Sequence, residues 1–461
     1  MGGGVPGNRL RKGAGIASRR SVTRLSIYSP KPKQANGVSR KKSEGLTGQR
    51  RVSRRTVHAF DFSGLSDIRH CLPPSVPLTP QLHGHIIDAG HNYTQGFEQR
   101  KRGSVTNIGL RFLSVRMTEL LIELAKIVLI AVVVLIFMLV AVLYIVLKLR
   151  WVIARIQSRL GPNRTGPWGV FQTCADALKL LQKEDMVPCG ADRWLFTLAP
   201  GMVFVPAYMV YVVMPFGAGL VPRDLNIGVI YITAISTMGV IGIVVAGWAS
   251  NNKWSLLGAF RGAAQLIAYE VPMILAMCVP VLICGTLSLD GIVQAQSGGF
   301  WHWNLLHFTG WPMIPLAFLM LLIAGLAEIN VAPFDIMEAE SELVAGFNTE
   351  YSGMKFAFFF LAEFAASFTL AAIIVTLFLG GYQPPLEVLG GHLKGIAYSA
   401  VTLFWFLAKC WVIVLLILWI RSTLPRVRVD QLMNLAWKAL IPTGLANLLA
   451  TGAYVALWMP K

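Results

Sequence analysis

Charge is scarce in this chain. Only 14% of its 461 residues are Asp, Glu, Lys or Arg, against about 25% in soluble proteins, while 55% are hydrophobic. The mean hydropathy is +0.58. A water-soluble globular domain is excluded, and the composition is that of an integral membrane protein. Metal-ligating residues are equally thin. The six cysteines, Cys71, Cys174, Cys189, Cys278, Cys284 and Cys410, are scattered without a CxxC pair, so neither a zinc site nor an iron–sulfur cluster is suggested. Five of the eight histidines precede residue 117, and His302, His307 and His392 fall in predicted loops. No histidine pair faces across a membrane helix, which argues against haem. The membrane body thus has no evident redox centre of its own. It also lacks a convincing internal repeat, which weighs against an inverted-repeat transporter.

What charge there is lies unevenly. Residues 1–116 hold 21 Lys/Arg and five Asp/Glu, whereas the other 345 residues hold 20 and 18. The net charge of +18 therefore belongs to the N-terminal segment and is no argument for nucleic-acid binding. That segment, rich in Gly, Ser, Pro and Arg, reads as a disordered extension. A targeting peptide or a basic tail for anionic lipid would fit it. The expectation, however, is that translation starts at Met117, because MTELLIELAKIVLIAVVVLIF is a natural opening for a membrane helix.

The domain from 117 to 461 contains eight apolar stretches near the ~20 residues that span hydrocarbon. They are approximately 119–147, 194–216, 226–248, 265–288, 311–329, 355–380, 398–420 and 439–459. The expected fold is an all-α integral membrane protein of about eight transmembrane helices. Loops after spans 1, 3, 5 and 7 carry 15 Lys/Arg, and the remaining loops and the C-terminus carry three. The odd-numbered loops are then cytoplasmic and both ends face out. A basic extension on the outer side, with Arg111 and Arg116 beside the first span, runs against the same rule.

In the first cytoplasmic loop, residues 155–185, a Gly161-Pro162-Asn163 turn precedes a short helix. Gln172, Asp176, Lys179 and Lys183 recur on one side of it, and Val170, Cys174, Ala177/Leu178 and Leu181 on the other. This pattern predicts an amphipathic helix in the membrane interface, in contact with lipid, able to frame a side entrance for a lipid-soluble ligand. A plain surface helix with an Asp176–Lys179 pair is the plainer alternative.

Ionisable residues also occur inside the spans: Glu270, Glu328 and Glu363, with Lys409 and Lys126. Such groups are costly in lipid and face a wet or protein-lined interior. A carboxyl held away from water can exchange protons near neutral pH, so three of them on different helices could relay protons. The alternative is structural, with Glu363 and Lys409 neutralising one another. After span 5 the sequence AEINVAPFDIMEAESEL places Glu328, Asp335, Glu338, Glu340 and Glu342 within 17 residues, with no Lys or Arg among them. An acidic cytoplasmic loop opposes the charge trend. It could deliver protons to Glu328, dock a basic partner, or simply be solvated.

RLGPNRTGPWG, ADALKLLQKED, SNNKWSLLGAFRGAAQLIAYE, AEINVAPFDIMEAESELVAGFNTEYSGMKFAFFFLAEF and RSTLPRVRVDQLM together resemble the H subunit of bacterial NADH–quinone oxidoreductase, the counterpart of the first membrane subunit of mitochondrial NADH dehydrogenase. The resemblance covers about residues 117–459. It implies a plasma-membrane subunit, without a redox centre, of a proton-translocating enzyme. Such a subunit anchors the peripheral arm, forms most of a chamber that admits quinone from the bilayer, and begins an acidic path toward antiporter-like subunits. NADH, flavin and iron–sulfur clusters would belong to partner subunits. Carried over by motif, Glu270, Glu328 and Glu363 match the family's membrane carboxylates. Asp335, Glu338, Glu340 and Glu342 match its acidic coupling loop, and Arg150, Arg159 and Asp176 match positions near the quinone chamber. The family usually has Glu-Arg-Lys at the end of span 1, where this chain has Leu149-Arg150-Trp151, so one charged wall of the quinone entrance is altered. The competing readings are the related membrane subunit of a proton-translocating hydrogenase or formate hydrogenlyase, and a stand-alone transporter.

Overall fold

The computed structural model describes residues 80–306, 312–338, 342, 344–385 and 395–458, with side chains from 116 to 457. Two units divide the chain, Met1–Phe97 and Glu98–Lys461, and everything below concerns the second. The expected extension falls on residues 1–79, which lie outside the described residues, and on the first helix. Among the described residues all regular structure is helical.

Among the described residues, ten α-helices contribute to this unit. Helix α1, Pro80–Ile156, brings to it the apolar part Arg116–Ile156. Then come α2 (Gln172–Gln182), α3 (Arg193–Met209, extended by a tighter turn to Val212), α4 (Gly228–Ala249) and α5 (Lys253–Cys284). They are followed by α6 (Leu289–Ala295), α7 (Met313–Glu328), α8 (Gly353–Phe378), α9 (Ile396–Thr423) and α10 (Val429–Leu457), the last with a π turn at Leu435–Leu440. Seven are long and apolar enough to cross a membrane, and α7, at 16 residues, is a shorter apolar helix. These eight match the eight apolar stretches of the sequence. Helix α5 begins about three turns earlier than its apolar run, which places Glu270 mid-helix, and α1 and α10 also begin ahead of theirs.

Local chemistry sets the ends. Asp192 and Asn252 cap α3 and α5 by accepting the Trp194 (3.3 Å) and Trp254 (3.0 Å) backbone N–H groups. Gly285, left-handed at φ 68°, closes α5. Helix α5 packs on α4, α7 and α10, while α8 packs on α3 and α9. Between them lies a core of Met138, Tyr211, Tyr269, Phe364, Phe368, Phe378 and Phe406, all fully buried. The two buried tyrosine hydroxyls donate to the Ala365 and Leu432 carbonyls, at 3.0 and 2.8 Å, which removes the penalty of burying them unpaired. Outward-facing Phe404, Val412 and Trp419 are exposed, as expected where lipid replaces water.

The loop between α7 and α8 is pressed onto α5 by small residues. Gly346 has φ +63°, and a Cβ there would stand 1.9 Å from the Met337 carbonyl oxygen. On α5, a Cβ at Gly258 would stand 2.9 Å from Gly346 Cα. Only glycine at both positions lets the acidic loop lie this close to the helix.

Candidate functional site

Helix α7 stops at Glu328. Ile329 leaves the helix and Asn330 takes φ 52°. Gln265 of α5, itself buried, fixes this break by donating to the Ala327 (2.7 Å) and Phe334 (2.8 Å) carbonyls. The first residues of the acidic loop therefore turn back against α5 instead of running into solvent.

A cavity of about 180 Å³ lies among α3, α4, α5, the end of α7 and α8. Its wall is mostly apolar, yet Glu328, Glu338 and Glu363 all line it, with Asn330 beside them. Three carboxyls from three segments thus converge on one space. Glu270, on the α4–α5 side, accepts a hydrogen bond from the Thr237 hydroxyl and lies within electrostatic range of Glu328.

The acids that look unaccompanied in the sequence are not so in the fold. Arg421 of α9 pairs with Glu363 at 3.2 Å and stacks 5.3 Å from the Phe364 ring. Arg426 lies 3.8 Å from Asp335. Arg261 pairs with Glu342 at 2.7 Å, at an exposed position away from the cavity. The suggested Glu363–Lys409 neutralisation is not what forms: Lys409 bonds backbone carbonyls instead, and Arg421 takes its place. Glu340 lies outside the described residues.

Glu338 is the best-defined acid of the loop. It accepts from the Asn348 amide (2.7 Å), and its N–H donates to Asp335 Oδ1 (3.3 Å). Burial, reinforced by the nearby Glu363 and Asp335 carboxylates, pushes its carboxyl up to about 8, against the opposing pull of Arg421 and Asn348.

The second group of predicted residues stands apart. Arg150 at the end of α1 pairs with Asp176 of α2 at 2.7 Å, displacing the Asp176–Lys179 pairing offered by spacing. Gln172 supports Asp176 at 3.4 Å. Arg159 is exposed and bonds Gln157. None of these three lines the acid cavity. Helix α2 presents Cys174, Leu178 and Leu181 outward while Thr173 is buried, as an interfacial helix should. Where the chain reads Leu149-Arg150-Trp151, the Trp151 ring stacks on Lys148 Nζ at 4.6 Å, with Tyr144 at 4.9 Å on the same cation. A positive charge is thereby retained within one turn of the altered position.

The NADH dehydrogenase family model matches residues 128–452, more than half of the chain. The chain belongs to the H-subunit family of NADH–quinone oxidoreductase. The H subunit of Chlorobaculum tepidum is 48% identical over 313 residues, covering 66% of this chain and 86% of that protein. The H subunit of Anaeromyxobacter dehalogenans is 49% identical over 311 residues (65% and 75%). That of Dehalococcoides mccartyi is 48% identical over 302 residues (66% and 79%). As a multi-pass membrane member of the family, this chain contributes to an oxidoreductase complex and has other subunits as partners. The matched region contains both residue groups described above. Sequence reasoning missed the donors that organise them: Thr237, Gln265, Asn348 and the arginines 261, 421 and 426. Arg421 and Arg426 sit within the recognised stretch RSTLPRVRVDQLM, so that motif carried a signal for them.

Proposed function

We propose that this subunit forms the wall of a chamber admitting quinone from the bilayer, and the first part of a proton path, so that quinone reduction is coupled to proton translocation. The observation that carries the reading is the convergence of Glu328, Glu338 and Glu363 on one mainly apolar cavity. Beside the cavity, Asp335 adds a fourth carboxyl within electrostatic range of Glu338 and Glu363, and two guanidiniums, Arg421 and Arg426, pair with Glu363 and Asp335. Full ionisation would bury net negative charge in apolar surroundings, so the cluster must hold protons and can exchange them.

In this mechanism quinone enters beside α2, between it, α1 and α8. Arg150 and Asp176 shape the polar rim, and exposed Arg159 extends it. Reduction to quinol takes up protons with electrons and changes the local charge. The 335–342 loop, including Glu340 and Glu342, senses that change, and protons redistribute among Glu338, Glu363, Glu328 and Glu270. Thr237 marks the far end, from which antiporter-like subunits receive the signal. The chain supplies no flavin, haem or iron–sulfur cluster; peripheral iron–sulfur subunits deliver the electrons. The complex lies in the plasma membrane, with the 148–193, 249–264, 330–354 and 421–438 segments cytoplasmic.

The test is Glu328→Gln in the assembled complex. NADH-driven proton translocation should fall while assembly and the amount of co-purifying subunits stay near wild type. A variant that pumps normally removes Glu328 from the path.

A further inference from the structure

Lys409 stands near the middle of α9, 9% exposed. Its ammonium donates to three backbone carbonyls, Leu379 (2.8 Å), Gly381 (3.0 Å) and Gln383 (2.7 Å). The Trp303 ring covers it at 4.0 Å. Three carbonyl oxygens and an aromatic face make a cage for a monovalent cation, and here the cation is tethered to the chain.

The cage completes a larger arrangement. Helix α8 ends at Phe378 among buried groups, and its last carbonyls need donors from elsewhere. Gln296 donates to Thr376 O (3.0 Å), Asn304 to Leu377 O (2.8 Å), and the Leu305 N–H to Phe378 O (3.0 Å). Lys409 takes those of Leu379, Gly381 and Gln383, and the Gln383 N–H takes that of Gly380 (2.9 Å). The turn that presents them requires left-handed Gly380 (φ 70°) and Gly381 (φ 50°); a Cβ at Gly380 would stand 2.5 Å from Trp303. The positive charge also meets the negative end of the α8 dipole. Between this cap and the acid cavity, whose wall on α8 reaches Ile373, lie the fully buried apolar side chains of Ile374, Leu377 and Phe378, and the buried Thr376 hydroxyl donates back to the Ile373 carbonyl (2.9 Å).

We infer that the Lys409 ammonium, its carbonyl cage and the Trp303 lid form an insulating seal. The seal closes the acid cavity from the side of the membrane opposite the acidic loop. Irregular backbone at membrane depth is dry only while its polar groups are satisfied internally. Without the ammonium, three carbonyls acquire a need for water in one place, and the apolar layer behind them becomes the remaining barrier to protons. Lys409 is thus a positioning residue for proton retention, and this role rests on the proton-path reading.

The experiment compares whole-complex proteoliposomes carrying wild type, Lys409→Ala and Lys409→Gln. An imposed pH gradient is followed without NADH, then NADH-driven acidification is measured. Both variants should lose the imposed gradient faster than wild type while keeping uncoupled NADH–quinone turnover. A third variant, Lys409→Arg, keeps a cation for the carbonyl cage and should leak less than Lys409→Ala. Imposed-gradient decay equal to wild type in both Lys409→Ala and Lys409→Gln overturns the seal. So does a Lys409→Arg leak as fast as that of Lys409→Ala, or failure of all three variants to assemble, since either leaves only a folding role. Because passive decay needs no turnover, these results stand apart from the proton-path reading, which falls if the wild-type liposomes show turnover without acidification.

Discussion

The Arg421–Glu363 pair offers the sharpest quantitative test of the site. At 3.2 Å, with the two side chains 26% and 19% exposed, the gross attraction at an effective dielectric near 20 is about 5 kcal/mol. Desolvation offsets much of it, and removing one partner of a buried pair costs about 3–5 kcal/mol because the other charge is stranded. Partial exposure reduces this to about 2–3 kcal/mol for Arg421→Met. If that loss falls on the inactivation barrier, thermal inactivation of quinone-dependent turnover accelerates about 30- to 150-fold. Glu363→Gln in the same chain removes the stranded charge. The double variant should therefore recover most of the lost lifetime while remaining deficient in pumping. A double-mutant cycle on inactivation rates measures the coupling directly. If the two substitutions prove additive within about 0.5 kcal/mol, the pair is incidental and the arrangement of the cavity does not depend on it.

Two further outcomes follow from the loop. Burial and the neighbouring carboxylates push the Glu338 carboxyl up to about 8, so it passes from largely protonated to largely ionised as the pH rises through that range. Because the folded-state value lies above the usual carboxylate range, raising the pH through 8 charges a buried group and disfavours the folded loop. Coupled turnover should thus decline over pH 7–9 in wild type and lose that component of its profile in Glu338→Gln, which mimics the protonated form; an unchanged profile removes Glu338 from coupling. Gly346→Ala must place a side chain at φ +63° and against the Met337 carbonyl. It should cost more than about 1–2 kcal/mol and lower the yield of assembled complex on a native gel, whereas wild-type yield would show that the loop is free to move off α5.

Much of the fold is legible because lipid imposes length. Eight apolar runs became eight helices, and the polar and apolar faces of residues 170–183 became an interfacial helix, since both patterns are local. The early start of α5 is invisible to hydropathy. Its first turns are held by close approach at Gly258 to the loop at Gly346, and glycine contributes almost no hydrophobic signal. The pairing of the acids is unreadable for a similar reason. Arg421 is 58 residues from Glu363 and Arg261 is 81 from Glu342, so no window of sequence contains both partners.

The Glu363–Lys409 alternative shows how depth in a span misleads. A lysine and a glutamate on adjacent helices invite pairing, because either alone is costly in lipid. Depth along each helix decides otherwise. Glu363 is in the first half of α8 and meets Arg421 near the far end of antiparallel α9, while Lys409, over three turns back along α9, meets the end of α8. Each charge finds what lies at its own level: a guanidinium for the carboxylate, a helix terminus for the ammonium. The consequence is a division of labour along one helix pair. The end beside the acidic loop gathers carboxyls and guanidiniums, whereas at the other end, among the described residues, the ammonium is held by backbone carbonyls under an aromatic ring.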